Sequence, residues 1–192
     1  MAVYSKVYDS YAQAEAAVRD LEVAGIPSGD ISLVANRYVS EEYADVTESS
    51  TTSTGIGLGL ATGGGAGLLA GLGLLAIPGL GPVVAAGWFA ATAAGAAAGA
   101  AAGGIIGALM DSGAPEADAH VYSEAIRRGG TLLTVRTETA SESDIERILA
   151  RHEPIDPVVR RREYEQDGWR EFDPSAEPYT PSQAELDRIR RR

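Results

Sequence analysis

Two histidines and the acids near them are the first residues in this 192-residue sequence that could do chemistry. His120 stands among Glu116, Asp118 and Glu124, and carboxylates with a histidine at helical spacing could hold a cation. An ordinary solvated helix face has the same spacing and is the commoner explanation. His152 falls near the end of a predicted helix, where the dipole favours a cation. We therefore predict no metal site, no catalytic residue and no enzyme.

A nucleotide site is the second chemical possibility. Gly65–Ala70 and Gly71–Ala76 both match a relaxed dinucleotide-binding pattern. Such a loop follows a strand, whereas a Ser/Thr-rich stretch precedes these glycines. The sequence has no glycine–lysine pair for a phosphate loop, and the absence of cysteine excludes disulfides, thiol nucleophiles and cysteine-ligated metals. We predict no cofactor.

The charge is strongly acidic and unevenly placed. The formal net charge of −11 argues against a nucleic-acid partner, because such proteins need basic charge to displace counterions. The 62 residues between Glu48 and Asp111 carry no charge and hold 17 of the 23 glycines. This segment, not a reaction centre, is the unusual feature of the chain.

Glycine recurs at every fourth residue in two parts of this segment, a spacing that puts it on one face of a helix. Each such glycine costs about 1 kcal/mol relative to alanine unless another backbone approaches closely, as in small-xxx-small helix pairs. We predict a glycine-zipper helical hairpin over 55–110, with helices at roughly 55–77 and 83–110 and a turn at 77–82. The turn residues are Pro78, Gly79, Gly81 and Pro82, and the predicted self-association residues are Gly55, Gly59, Gly63, Gly67, Gly71, Gly87, Gly95, Gly99, Gly103 and Gly107.

Two environments could bury such a hairpin. Helices of about 35 and 42 Å would be long enough to cross a bilayer. Because the first residues lack the pattern of a secretory signal, we expect the hairpin to insert from the cytoplasmic side of the cell membrane. Residues 90–104, however, contain nothing larger than threonine, and such a surface packs on protein better than on lipid. The alternative is a soluble cytoplasmic homo-oligomer, a shell, tube or filament, with hairpins buried between subunits. Both environments make the chain its own partner, and the first adds a lipid bilayer.

The flanking pieces have the patterns of a soluble α+β domain. Residues 1–36 predict strand, helix and strand, and 37–54 form an acidic, then Ser/Thr-rich linker. Residues 111–159 predict helix, strand, helix and a short strand at Ile155–Val159. Without the insertion this order is close to a ferredoxin-like split βαβ plan. Residues 160–192 form a charged, aromatic-containing tail. We expect this tail to be extended, to dock through its aromatics and to end in a short helix.

Three stretches carry a resemblance: VYDSYAQAEAAVRDLEVAGIPSGDISLVANR, IPGLGPVVAAG and SGAPEADAHVYSEAIRRGGTLLTV. In this order they resemble the bacterial general stress protein, or heat-induced stress protein, domain family over roughly residues 3–150. The resemblance implies a non-enzymatic stress-response protein with a split ferredoxin-like domain around a glycine-rich hairpin, and it carries over no catalytic residues. Our hypothesis is a structural protein that self-associates through the hairpin. A small-molecule or metal-sensing module, with only His120 and its acids in support, is the further alternative.

Overall fold

The first strand, helix and strand form as their patterns predict. The structure is a computed structural model, and it describes residues 2–36, 73–77, 81–89, 104–138 and 141–176. Strand β1 spans Ala2–Tyr8, helix α1 spans Tyr11–Val23 and strand β2 spans Ile31–Asn36. Ser10 and Gln13 close a capping box at the start of α1: the Gln13 N–H donates to Ser10 Oγ over 3.3 Å, and the Ser10 N–H donates to Gln13 Oε1 over 3.1 Å.

Five antiparallel strands form one sheet in the order β1-β5-β2-β4-β3. Strand β5, Thr131–Thr137, lies between β1 and β2 and pairs with both. Strands β3, Gly73–Ile77, and β4, Gly81–Ala86, extend the sheet beyond β2. Strands β1 and β3 are therefore its outermost described strands, and the chain is an α+β protein.

Helices cover both faces of this sheet. The α1–α4 face is covered by α1 and by α4, Glu142–Arg151, whose apolar side chains pack on Leu33, Leu133 and Val135. The α2–α3 face is covered by α2, Gly104–Asp111, and α3, Glu116–Arg127, which pack with Val7, Val34 and Leu132. Side chains alternate between the two faces along each strand, so both faces of β1, β5 and β2 contribute to a core.

The predicted helical hairpin is wrong on both sides of its turn. Residues 73–77 and 81–86 are strands, and β4 is paired with β2 from Asn36↔Val83 to Leu33↔Ala86. A short apolar run between glycines and prolines has the same pattern in a buried strand as in a buried helix, and here the free edge of β2 decides the outcome. The chain does reverse between Ile77 and Gly81, which lie opposite each other, but it does so between strands. At the end of the predicted second helix, 104–111 is helical as α2.

The predicted strand at Ile155–Val159 is also wrong. Asp156 caps a helix instead: its side chain accepts from the N–H groups of Val158 and Val159, and Pro157 takes the first helical position. This helix, α5, spans Pro157–Gln166, so the predicted boundary at 160 falls inside it. The prediction of an extended tail is therefore wrong for its first part, residues 160–166. Only Ile155 keeps a strand-like contact, donating its N–H to Val7 O over 2.8 Å.

Candidate assembly edges of the sheet

The predicted self-association glycines can be compared with the structure at two positions. Gly87 directly follows β4 with φ +89°, and Gly107 lies within α2. The other eight lie outside the described residues, as do Pro78 and Gly79 of the turn, while Gly81 and Pro82 belong to β4. Of the ten predicted self-association glycines, the two that the structure describes lie in different elements and do not form one ladder.

Gly87 is a position of close backbone approach. A Cβ added there would overlap the carbonyl oxygen of Ile31 and lie 2.8 Å from the Cα of Ser32. The missing side chain therefore lets the chain after β4 run against β2, which then places Phe89 in the core of the α2–α3 face. Gly107 differs, because an added Cβ would meet nothing within 4 Å.

The outer edge of β3 is the first candidate assembly surface. An edge strand presents a row of backbone N–H and C=O groups that can pair with another chain. No strand of the described residues lies beyond β3. Natural edges are commonly protected by charged side chains or by proline within the strand, and the sequence Gly-Leu-Leu-Ala-Ile of β3 contains neither.

The outer edge of β1 is the second candidate surface. Because Val7 O accepts from Ile155, the backbone groups of Val7 point away from β5. Successive residues of a strand alternate between its two sides, so the N–H and C=O groups of Ser5 and Val3 also point outward. The hydrogen bond from Ile155 therefore closes one end of this edge. No described strand covers the run from Val3 to Ser5.

A cleft of about 190 Å³ follows this part of β1. Residues 3–6 form its floor, and the loop 112–115 joins Asp118 and Tyr122 in one wall. Glu146 of α4 stands on the other wall. Ser5 Oγ and Ser112 Oγ are 3.4 Å apart, so the loop reaches β1 directly.

The charges around this cleft are mostly acidic. Burial, together with the nearby carboxylates of Glu142 and Glu146, raises the pKa of Tyr4 above its usual range. Asp118 adds a carboxylate on the opposite wall, and Lys6 is the cation of the floor. Burial also raises the pKa of Tyr122 to about 12, so this phenol stays neutral. The cleft therefore favours an uncharged or basic segment over an acidic one.

His120 takes part in a structural contact. Its Nδ1 accepts a hydrogen bond from the backbone N–H of Phe172 over 3.2 Å. The lone pair of this nitrogen is therefore used in a contact with the chain that follows α5. Phe172 is 3% exposed and packs in the core of the α2–α3 face. His152 likewise joins helices, with its Nε2 3.0 Å from Asp20 Oδ2. Within the described ranges, no three His, Asp or Glu side chains are grouped so that they could hold a metal ion.

The tail docks through aromatics, as predicted for 164–172. The Tyr164 ring is buried with the Arg128 guanidinium 4.4 Å from its centroid. Trp169 packs edge-on against Tyr164, with centroids 5.6 Å apart. The end of the chain, with Tyr179 and the predicted terminal helix, lies outside the described residues.

Sequence reasoning missed the role of Glu124 beneath this tail. Glu124 is 1% exposed and accepts from Arg127 over 2.6 and 2.8 Å and from Arg128 over 2.6 Å. A buried carboxylate needs such partners, since an unpaired one would be strongly destabilising. The available signal in the sequence was that Arg127 and Arg128 follow Glu124 by three and four residues. A solvent-exposed ion pair on a helix has the same spacing.

None of the helices in the described part of the chain combines the length and apolar character needed to span a bilayer. Comparison of the chain with family models, curated proteins and solved structures finds no match.

Proposed function

We propose that this chain is a non-enzymatic structural protein that self-associates through its uncharged segment, with the outer edge of β3 as the contact. The observation that carries the proposal is the placement of Gly73–Ile77 as the outermost described strand of the sheet. The partner is thus recognised by backbone pairing at a sheet edge, in place of the helical glycine ladder expected from the sequence.

Charge supports a second copy as the partner. Two molecules of net charge −11 repel each other over most of their surfaces. The 62-residue uncharged segment is where two copies can approach without bringing carboxylates together, and β3 and β4 belong to it. Backbone pairing between strands is sequence-tolerant, so identical edges suit it.

We also infer that the domain is a variant of the ferredoxin-like split βαβ plan. The order β1-β5-β2 with α1 and α4 on one face agrees with three strands and two helices of that plan. The bond from Ile155 to Val7 lies where the fourth strand would begin. The variant differs by the β3–β4 extension and by the helices on the opposite face.

A soluble assembly fits the fold better than a membrane hairpin does. Because β4 pairs with β2, the middle of the uncharged segment is joined to the domain's own sheet. Insertion of the remaining parts from the cytoplasmic side is the alternative, and a role in the stress response rests on the resemblance given above. The metal-sensing alternative loses support, because Nδ1 of His120 already accepts from Phe172.

The test compares the full chain with Ala76→Lys, which places a charge on β3. We expect the native protein to sediment as an assembly and Ala76→Lys to sediment near the monomer mass of 19.9 kDa. Val23→Lys is the matched control, since Val23 is 89% exposed at the end of α1 and the net charge changes equally. Thermal unfolding checks that each variant is folded, and Ile77→Lys is a second β3 variant.

Two results would count against the proposal. A native protein that stays monomeric at high micromolar concentration removes self-association altogether. Retention of the native protein in membranes through an alkaline carbonate wash, with no lipid-free assembly, supports insertion instead.

A further inference from the structure

We propose that the cleft along β1 is the acceptor for β3 of a second copy, so that molecules join head to tail through unlike edges. This inference rests on the proposed self-association and names the surface that β3 meets. The two surfaces are the open edge of β1 at Val3–Ser5 and the strand Gly73–Ile77.

The backbone of β1 supplies the pairing groups. The outward N–H and C=O groups of Val3 and Ser5 lie along the floor of the cleft. The hydrogen bond from Ile155 to Val7 sets the point where an added strand must stop. The five residues of β1 from Ala2 to Lys6 precede this stop, and β3 also has five. Addition of a strand to an open edge gives affinity through the backbone, and the walls of the cleft select the side chains.

The walls exclude an acidic strand. Asp118 and Glu146 stand on opposite sides of the cleft, so an acidic segment would be repelled. A β1 edge from a second copy would bring the same carboxylates together from both molecules. Strand β3 brings no charge. The residues that flank it in sequence, Ala70–Leu72 and Pro78–Leu80, are also uncharged.

Unlike edges have a consequence for the assembly. A contact between two different surfaces repeats from copy to copy and gives an open filament or a closed ring. Pairing of β3 with β3 would instead stop at a dimer. The inference therefore predicts species larger than dimers for the native chain.

The experiment mixes two variants that each block one edge. Ser5→Pro removes an outward N–H of β1 that the β1–β5 pairing does not use, and Ala76→Lys blocks β3. Each variant alone should be monomeric, with at least a tenfold loss of association. Their equimolar mixture should form a heterodimer and nothing larger, since it combines one intact cleft with one intact β3. Size-exclusion chromatography with light scattering measures all three masses.

The outcomes separate the two proposals. If Ala76→Lys assembles as the native chain does, the β3 contact itself is wrong. If Ala76→Lys is monomeric but Ser5→Pro still dimerises or assembles, β3 is the contact and the β1 cleft is not its acceptor. A mixture that stays monomeric also overturns head-to-tail pairing. Val3→Lys repeats the test with an added charge if the unfolding temperature shows that Ser5→Pro has lost its fold.

Discussion

On the α1–α4 face of the sheet, two helices that are next to their strands in sequence close the core. The α2–α3 face is closed by two helices and, in addition, by pieces from distant parts of the chain. The first face needs only α1 and α4 over β1, β2 and β5. The second also needs Phe89 from after β4, Ile155 from before α5 and Phe172 from the C-terminal strap, which we define as residues 167–176. The stability of the second face therefore depends on long-range docking.

The largest expected effect is the loss of stability caused by Phe172→Ala, which tests this difference between the two faces. The substitution removes a ring that is 3% exposed, and a large-to-small change in a core costs about 3–5 kcal/mol. We expect the substitution to release the strap, with faster amide hydrogen exchange in the strap and α3 and little change in α1 and α4. Phe172→Leu is the control and should lose much less. An equal loss of protection from hydrogen exchange on both faces would contradict the idea that only the α2–α3 face depends on long-range docking.

Gly87→Ala should have the next largest effect. Its φ of +89° strains any other residue, and the new Cβ would overlap the backbone of Ile31. We expect a loss of more than about 2 kcal/mol in the free energy of unfolding, measured with urea. The matched change Gly107→Ala, in open space on a helix, should gain up to about 1 kcal/mol. Similar losses for both would mean that Gly107 also packs closely.

These two glycines show what the sequence can and cannot predict. Local patterns predicted β1, α1, β2, β5 and α4, because capping residues and periodicity act within each element. The four-residue spacing recognised Gly87 as special but could not tell which backbone it approaches. That depends on β2, more than fifty residues earlier in the chain, whose free edge turned an apolar run into strands. The β1 cleft could not be predicted either, since only tertiary packing brings 112–115 and Glu146 to one strand.

Substitution of two buried threonines of β5, one on each face, should have a smaller effect on stability that differs between the faces. Thr131 shares a row with Tyr8 and Ala35 on the α1–α4 face, and Thr134 shares one with Ser5 and Ser32 on the α2–α3 face. The hydroxyls of both threonines are buried without a hydrogen-bond partner among the described residues.

Valine has nearly the same shape as threonine and removes the unpaired hydroxyl. We expect Thr131→Val, in apolar surroundings, to stabilise the fold by about 1 kcal/mol in chemical unfolding. Thr134→Val should gain less, because it lies in a row of hydroxyl groups. A larger gain at Thr134 would contradict this assignment of polar and apolar rows.

The smallest effect concerns two carboxylates whose pKa values are both lowered. The hydrogen bond from His152, and then Arg151 at 2.9 Å, hold the pKa of Asp20 below its usual value, despite partial burial. Hydrogen bonds from Ser175 likewise lower the pKa of Asp173. For a lowered pKa, the stabilisation is complete above the unfolded-state value near 4 and is lost as the pH falls through the folded-state value.

Only Asp20 connects two helices, because Asp173 accepts from its own turn in the strap. We therefore expect Asp20→Asn to lower the unfolding temperature at pH 7 and to make it less dependent on pH as the pH falls below about 4. Asp173→Asn should leave both nearly unchanged, since its hydrogen bonds lie within one turn and join no two elements. If Asp173→Asn removes as much of the acid dependence as Asp20→Asn, the strap is an integral part of the cooperative core, and the two faces unfold together.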